Sequence, residues 1–265
     1  MNFVFNCIKG IAIGAGAILP GISSGVLCVI FGIYEKLIDC ALNFFKDFKN
    51  NLKFLFPILI GIAIGVILFG NILRYLFQNY LMQTCFCFIG IMFGGIPSLI
   101  KNANSKKGFR LSYLAYTIFT LIITLSLLYI EKSLTITSYE NNNFLFLILS
   151  GFIMSIGVVV PGVSSTVLLM LLGIYDTYLL AISTVNLYVL FPMGLGLLIG
   201  GYIFLKLTKY LLENFYTQTY YGIIGFVLGS IPILYPGLSF NLDGFIAILC
   251  FIIGLYIPKI IKEEH

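Results

Sequence analysis

Residues 20–27 read PGISSGVL and lead into GIYE at 32–35, and residues 161–168 read PGVSSTVL and lead into GIYD at 173–176. The chain therefore contains an internal repeat, and each copy breaks an apolar segment at the same place. A Pro-Gly pair in hydrocarbon frees backbone N–H and C=O groups that lipid cannot satisfy, so such a break persists only where protein or water surrounds it. Paired breaks in the two halves of a membrane protein are typical of a transport site.

The amino-acid composition indicates an integral membrane protein. It is 60% apolar and 9% charged, with a mean hydropathy of +1.07, which is far from soluble usage. Its six cysteines form no CxxC pair, and its single histidine is the terminal His265, so we expect free thiols, no metal and no cofactor. The net charge of +5 is explained by topology, and we expect no nucleic-acid partner.

The repeat extends beyond the Pro-Gly motif. Three further pairs of segments match in order: 55–57 with 190–192, 74–80 with 209–215, and 90–97 with 225–232. We therefore predict one transmembrane domain over 1–265, built from a first repeat at 1–137 and a second at 138–265.

Six apolar windows have about the 20 residues that a bilayer crossing requires. They cover 54–78, 84–100, 110–130, 187–208, 219–236 and 244–261. The broken segments, 3–34 and 144–175, allow two interpretations: each crosses once as an interrupted helix, or enters and leaves on one side as a re-entrant hairpin.

Charge distribution favours hairpins, because cytoplasmic loops collect Lys and Arg. With hairpins, 13 of the 15 basic residues, Lys9 among them, lie on one side, whereas single crossings divide the same residues 7 to 8. The predicted fold is an all-α polytopic membrane protein with two inverted-topology repeats, each a re-entrant broken-helix hairpin plus three transmembrane helices. Both termini are then cytoplasmic.

The hairpin tips are the predicted substrate site. Hydroxyl side chains follow each Pro-Gly where a second half-helix should begin, and free N–H groups there favour an anion such as phosphate or carboxylate. A simpler alternative is an N-cap beside a packing kink. The candidate residues are Pro20, Gly21, Ser23, Ser24 and Gly25 in the first tip and Pro161, Gly162, Ser164, Ser165 and Thr166 in the second.

Two pairs of charged residues occupy matching positions in the repeats. Arg74 and Lys209 are candidates to receive a phosphate from opposite faces, or else cations that snorkel to the interface. Glu35 and Asp176 are candidates to couple an ion, or else ordinary interfacial acids.

Repeated small residues and prolines point to packing. Gly61 with Gly65, and Gly196 with Gly200, have the spacing of close helix contacts. Pro97 and Pro232 each follow an isoleucine and are expected to end helices.

The motifs PGISSG and PGVSST, each leading into Leu-rich sequence and GIY-acid, resemble the PopT-type polyprenyl-phosphate translocases, a bacterial and archaeal family first catalogued as a domain of unknown function. The resemblance covers nearly the whole chain, although Ser24 and Thr166 stand where many members have Gly. It implies a flippase of the cytoplasmic membrane that returns undecaprenyl phosphate, the lipid carrier of cell-wall synthesis, from the outer to the inner leaflet. The oligomeric state is left open.

Three alternatives stay open at this point. One is a secondary carrier of a small soluble anion, and another is a membrane lipid-phosphate enzyme, which the lack of an internal histidine disfavours. The third is a scaffold that binds a partner in the membrane.

Overall fold

The computed structural model describes residues 3–17, 24–133 and 143–262, of which 86% lie in α-helix and none in a strand. The first half contains α1 (Phe3–Ala17), α2 (Ser24–Ile30), α3 (Tyr34–Leu42), α4 (Phe48–Asn79), α5 (Leu81–Lys107), a 3-10 turn (Leu111–Tyr113) and α6 (Leu114–Ser133). The second half contains α7 (Phe144–Val159), α8 (Ser165–Leu171), α9 (Tyr175–Thr184), α10 (Leu187–Asn214), α11 (Tyr216–Leu234) and α12 (Leu242–Lys262). The all-helical prediction is confirmed.

In the ranges described, four helices are long and apolar enough to cross a membrane: α4 over Phe48–Gly65, α5, α10, and α12 over Leu242–Ile260. Helices α6 and α11 coincide with the other two predicted crossings. Only 22% of the α12 window and 28% of the α10 window are buried, so most of their apolar side chains face outward. That pattern suits lipid contact, and the chain is a multi-pass membrane protein.

Equivalent helices of the two halves pair in equivalent ways. Helix α1 packs along α4 as α7 packs along α10, and α12 packs along α5 as α6 packs along α11. Helices α5 and α11, which are themselves equivalent, pack on each other and join the halves. Each half therefore depends on the other for part of its packing.

Glycines allow the closest of these approaches. A Cβ at Gly61 or Gly65 would overlap the α1 backbone at Cys7 or Ile11. In the second half, a Cβ at Gly196 would overlap the α7 backbone at Ile148, and one at Gly200 would meet Phe152 and the hydroxyl of Ser155. The predicted packing role of these four glycines is confirmed.

The repeated GIY sequence is a helix C-cap. Gly32 and Gly173 follow α2 and α8 with φ of 69° and 68°, where a side chain would be strained. The next N–H, of Ile33 or Ile174, donates back to the carbonyl of Cys28 (3.0 Å) or Leu169 (3.1 Å), which completes a Schellman motif in each half. The short helices therefore end at a fixed residue, and the tyrosine begins the next helix.

The prolines behave differently from expectation. Pro97 lies inside α5, which continues to Lys107, so the prediction that it ends a helix is wrong. Pro232 lies near the end of α11, which stops at Leu234. Transmembrane helices tolerate an internal proline because neighbouring helices and local adjustment satisfy the freed backbone groups.

Candidate functional site

The second Pro-Gly turn interrupts the chain between α7 and α8. Pro161, Gly162 and Val163 are buried, and Gly162 has a φ of 86°, which favours glycine. A Cβ at Gly162 would also overlap Phe226 of α11. The turn is therefore pressed against α11 at a position where only glycine fits.

Other predicted tip residues lie near this turn or outside the described ranges. Ser164 is the N-cap residue of α8, and Ser165 is its first residue and packs on Gly157 of α7. Thr166 belongs to α8, and its side chain is outside the described part. In the first tip, Ser24 and Gly25 begin α2, whereas Pro20, Gly21 and Ser23 lie outside the described residues.

A carbonyl freed by the break is satisfied from the other half of the protein. The Tyr34 hydroxyl, at the start of α3, donates to the carbonyl of Val159, the last residue of α7, at 2.6 Å. The N–H of Val163, which would bond this carbonyl in a continuous helix, instead donates to Val160 at 3.3 Å. Thr208 of α10 lies next to the Tyr34 side chain. One tyrosine thus joins the first half to the broken helix and to α10.

A largely apolar cavity of about 440 Å³ adjoins the turn at Val160 and Pro161. Its other walls come from α6, α10 and α11. The lining residues are Tyr116, Phe119, Thr120, Phe204, Leu207, Thr208, Leu211, Phe215, Gln218, Thr219, Gly222, Ile223 and Phe226. Such walls suit a hydrocarbon chain, and the few polar groups lie among aromatic and aliphatic ones.

A second cavity, of about 430 Å³, is lined mainly by charged residues of α3, α5 and α10. They are Glu35, Lys36, Asp39, Lys106, Lys209 and Glu213, together with Ile38, Leu212 and Tyr216. The corner where α10 meets α11 lines both cavities, with the apolar cavity on one face and the charged cavity on the other.

Two contacts in this charged cavity join the halves of the chain. Lys209 pairs with Asp39 of α3 and lies 3.8 Å from Glu213. Glu35 accepts hydrogen bonds from Tyr216, at 3.1 Å, and from Tyr220. Helix α3 is therefore bound to the α10 and α11 corner at two points.

The repeat partners of these residues lie elsewhere. Arg74 belongs to the last third of α4, and its side chain is outside the described part. Asp176 is exposed in the first turn of α9. Of the two predicted charge pairs, the structure brings Lys209 and Glu35 into one cavity, and Asp176 is not among the residues that line it.

Some residues of this region were not predicted from the sequence. Asp39, Tyr216 and Tyr220 have no motif, whereas Tyr34 is signalled by its recurrence in GIYE and GIYD. Lys9, which was counted as a topological charge, is only 1% exposed in the middle of α1. The sequence signal for it is that Lys9 is the one charged residue of the first arm, in the middle of apolar sequence.

Comparison with known proteins identifies the family. The model of the VCA0040-like family, described as undecaprenyl phosphate translocase-like, matches residues 13–242. The chain belongs to the undecaprenyl phosphate translocase-like family. It is 30% identical to the polyprenyl-phosphate transporter of Staphylococcus aureus (strain NCTC 8325 / PS 47) over 267 residues, which cover 95% of this chain and 93% of the relative.

A second relative of this translocase-like chain has the same name as the first. The polyprenyl-phosphate transporter of Vibrio cholerae serotype O1 is 27% identical over 252 residues, covering 89% of this chain and 79% of the relative. No solved structure matches. The family and both relatives are named as transporters, so the enzyme alternative is set aside.

Proposed function

We propose that the protein is a flippase that returns undecaprenyl phosphate from the outer to the inner leaflet of the bacterial cytoplasmic membrane. The observation that carries this proposal is the junction of the Val160–Pro161 turn with the apolar cavity. The turn leads directly into Ser164 and Ser165, so an apolar groove lies close to the hydroxyl residues of the second tip. This combination matches a substrate with a phosphate head and an isoprenoid tail. Membership in the family and the names of both relatives support the same substrate class.

In this proposal the headgroup passes between the two hairpin tips while the tail stays in the groove or in lipid. Backbone N–H groups and hydroxyls of Ser164 and Ser165, with Ser23 and Ser24 of the first tip, bind the phosphate. Pro20, Gly21, Gly25, Pro161, Gly162 and Thr166 shape the tips. Binding of the same headgroup in two arrangements of the helices permits alternating access.

The inverted repeat is part of the proposal. The boundaries are 1–137 and 138–265, with hairpins that enter from opposite sides and both termini in the cytoplasm. The equivalent pairing of α1 with α4 and α7 with α10 supports two copies of one unit. The excess of basic residues on one side of the hairpin topology supports its orientation.

The charged residues have subsidiary roles in this scheme. Arg74 receives the phosphate at the outer face, and Lys209 receives it at the inner face, where the phosphate would displace Asp39. Glu35 and Asp176 are the candidates for ion coupling. For Glu35, the two tyrosine donors favour a structural role, because they hold its carboxylate in place.

Measurement of undecaprenyl phosphate at the cell surface tests the proposal. Cells that lack the protein should expose more of this lipid outside, and cells that overproduce it should expose less. A carrier of a small soluble anion would leave both levels unchanged. The wide apolar wall of the cavity favours the lipid over the soluble anion.

Serine substitutions test the tips. Ser164→Ala should weaken transport more than protein abundance, since a neutral hydrogen bond contributes only about 1 kcal/mol to stability. Ser164→Asp should abolish transport, because a fixed anion would repel the phosphate. Full activity of Ser164→Asp would rule out this tip as the headgroup site.

A further inference from the structure

A lysine is buried inside the first half of the protein, in helix α1, which has no other charged residue. Lys9 is 1% exposed, and Asn6 and Ile13, which share its face of α1, are each 3% exposed. The outward positions Phe3, Val4 and Ile8 are all apolar and exposed. The lysine therefore faces the protein interior instead of a membrane surface.

The second half contains a position equivalent to Lys9, and its residue shows which side chain is sufficient there for folding. The offset of 141 residues that relates Pro20 to Pro161 relates Lys9 to Ser150 and Gly10 to Gly151. The structure supports this alignment, because Gly10 approaches the α4 backbone at Ile58 as Gly151 approaches the α10 backbone at Met193.

Ser150 is fully buried, and its hydroxyl bonds its own helix at the carbonyl of Phe146, at 2.8 Å. A small, self-satisfied side chain is therefore sufficient in the second copy. The first copy instead carries a cation, whose burial is unfavourable unless its partners compensate for the lost hydration.

Charged residues inside membrane proteins are rare and functional, and the pathway of a transported substrate is one of the places where they occur. Lys9 already makes a polar or electrostatic interaction within the protein, which an incoming anion would join or replace. Helices α1, α2 and α4 contain no Asp or Glu, so this part of the fold has an excess of positive charge. Lys9 lies about 12 Å along the helix from Ala17, the last residue of α1, and Pro20 of the first tip follows three residues later in the sequence.

We propose that Lys9 is a binding residue for the phosphate headgroup, on the path between the first tip and the end of the protein that carries the N-terminus. The inference rests on the proposed function, since it takes the substrate to be a lipid phosphate. It also makes the two halves unequal: the full positive charge of the path belongs to the first hairpin, and the second supplies hydroxyls.

Paired binding measurements test this role. The purified protein is titrated with a short-chain fluorescent polyprenyl phosphate and with the same polyprenol without phosphate. Lys9→Met should weaken phosphate binding about tenfold to hundredfold and leave polyprenol binding unchanged, because a charge-assisted contact is lost. Lys9→Arg should keep the preference for phosphate. Lys53→Met, which removes an exposed cation of α4, is the matched control.

The outcomes separate the two proposals. A wild-type protein that does not prefer the phosphate overturns the proposed function and the role of Lys9 with it. If the wild type prefers the polyprenyl phosphate to the polyprenol and Lys9→Met has the same preference, the role of Lys9 alone is overturned. A change in thermal stability does not alter that conclusion. If Lys9→Met does not fold, the same ratio of polyprenyl-phosphate affinity to polyprenol affinity is measured for Lys9→Gln, and the same criteria apply.

Discussion

The Tyr34 hydroxyl donates a 2.6 Å hydrogen bond to the carbonyl of Val159, although 125 residues separate them in the chain. Val159 is the last residue of α7, so the bond satisfies a carbonyl that the Pro-Gly break has released. The broken helix of the second half is therefore stabilised by the first half. Any movement that separates α3 from α7 must break this bond or replace it.

Removal of the Tyr34 hydroxyl should destabilise the protein. Tyr34→Phe leaves a buried carbonyl without this donor, which costs about 1 to 3 kcal/mol. The expected result is a lower Tm in detergent, followed by circular dichroism because the chain contains no Trp. Tyr188→Phe is the control, since Tyr188 is 91% exposed. Equal Tm values for the two variants would show that the bond contributes nothing.

Gly162, the glycine of the second tip, should be harder to replace than a positive-φ glycine in open space. Gly162→Ala combines the strain of a positive φ, about 1 to 2 kcal/mol, with overlap on Phe226, about 1 to 3 kcal/mol more. Gly237→Ala is the matched control, because Gly237 has a φ of 93° and open space around it. Thermal unfolding should rank wild type above Gly237→Ala and Gly237→Ala above Gly162→Ala. Similar losses in both variants would mean that Phe226 moves aside.

The sequence predicts local features better than contacts between the halves. The Pro-Gly break and the paired glycines are repeated, so their positions at a turn and at a close helix contact follow from backbone chemistry. The pairing of Lys209 with Asp39 joins residues 170 positions apart, and no pattern in the chain relates them. From the sequence, Lys9 is counted with the cytoplasmic charges because basic residues usually mark topology, whereas its burial depends on how α1 packs.

The ion pair at the charged cavity should matter more for transport than for stability. The side chains of Lys209 and Asp39 are 30% and 61% exposed, so their coupling is worth only about 0.2 to 1 kcal/mol. If Lys209 receives the phosphate, Lys209→Gln should slow release inside about tenfold to hundredfold, whereas Asp39→Asn frees the lysine and should not. Arg74→Gln should instead impair capture from outside.

Directional assays in liposomes with the short-chain fluorescent lipid distinguish these effects. Lys206→Gln, one turn earlier on α10, is the control for loss of a cation. Equal, small effects of Lys209→Gln and Arg74→Gln in both directions would assign the two cations to topology.

Cysteine labelling tests the proposed orientation. Native Cys40 is a poor reporter, since it is 5% exposed and burial raises the pKa of its thiol, so less of the reactive thiolate is present at neutral pH. Phe109→Cys and Phe240→Cys, in a chain freed of its native cysteines, replace side chains that are 61% and 100% exposed. A membrane-impermeant reagent should label position 240 in intact cells and position 109 only after lysis. The reverse pattern would invert the topology.

Filling the apolar cavity should separate a lipid carrier from a carrier of soluble anions. Gly222 lines the cavity, and a Cβ there would make only an ordinary contact, 3.5 Å, with Thr120. Gly222→Leu should therefore fold, but its side chain would occupy space proposed for the isoprenoid tail. Gly194→Leu is the control, because Gly194 has open space around it and does not line the cavity.

In proteoliposomes, Gly222→Leu should lower transport of the polyprenyl phosphate at least tenfold while its Tm stays near that of Gly194→Leu. The loss should grow with the length of the isoprenoid chain, because a longer tail needs more of the groove. Transport that is equally fast in both variants would place the tail outside this cavity. A loss that is the same for every chain length would point instead to a disturbed headgroup path at the neighbouring Val160–Pro161 turn.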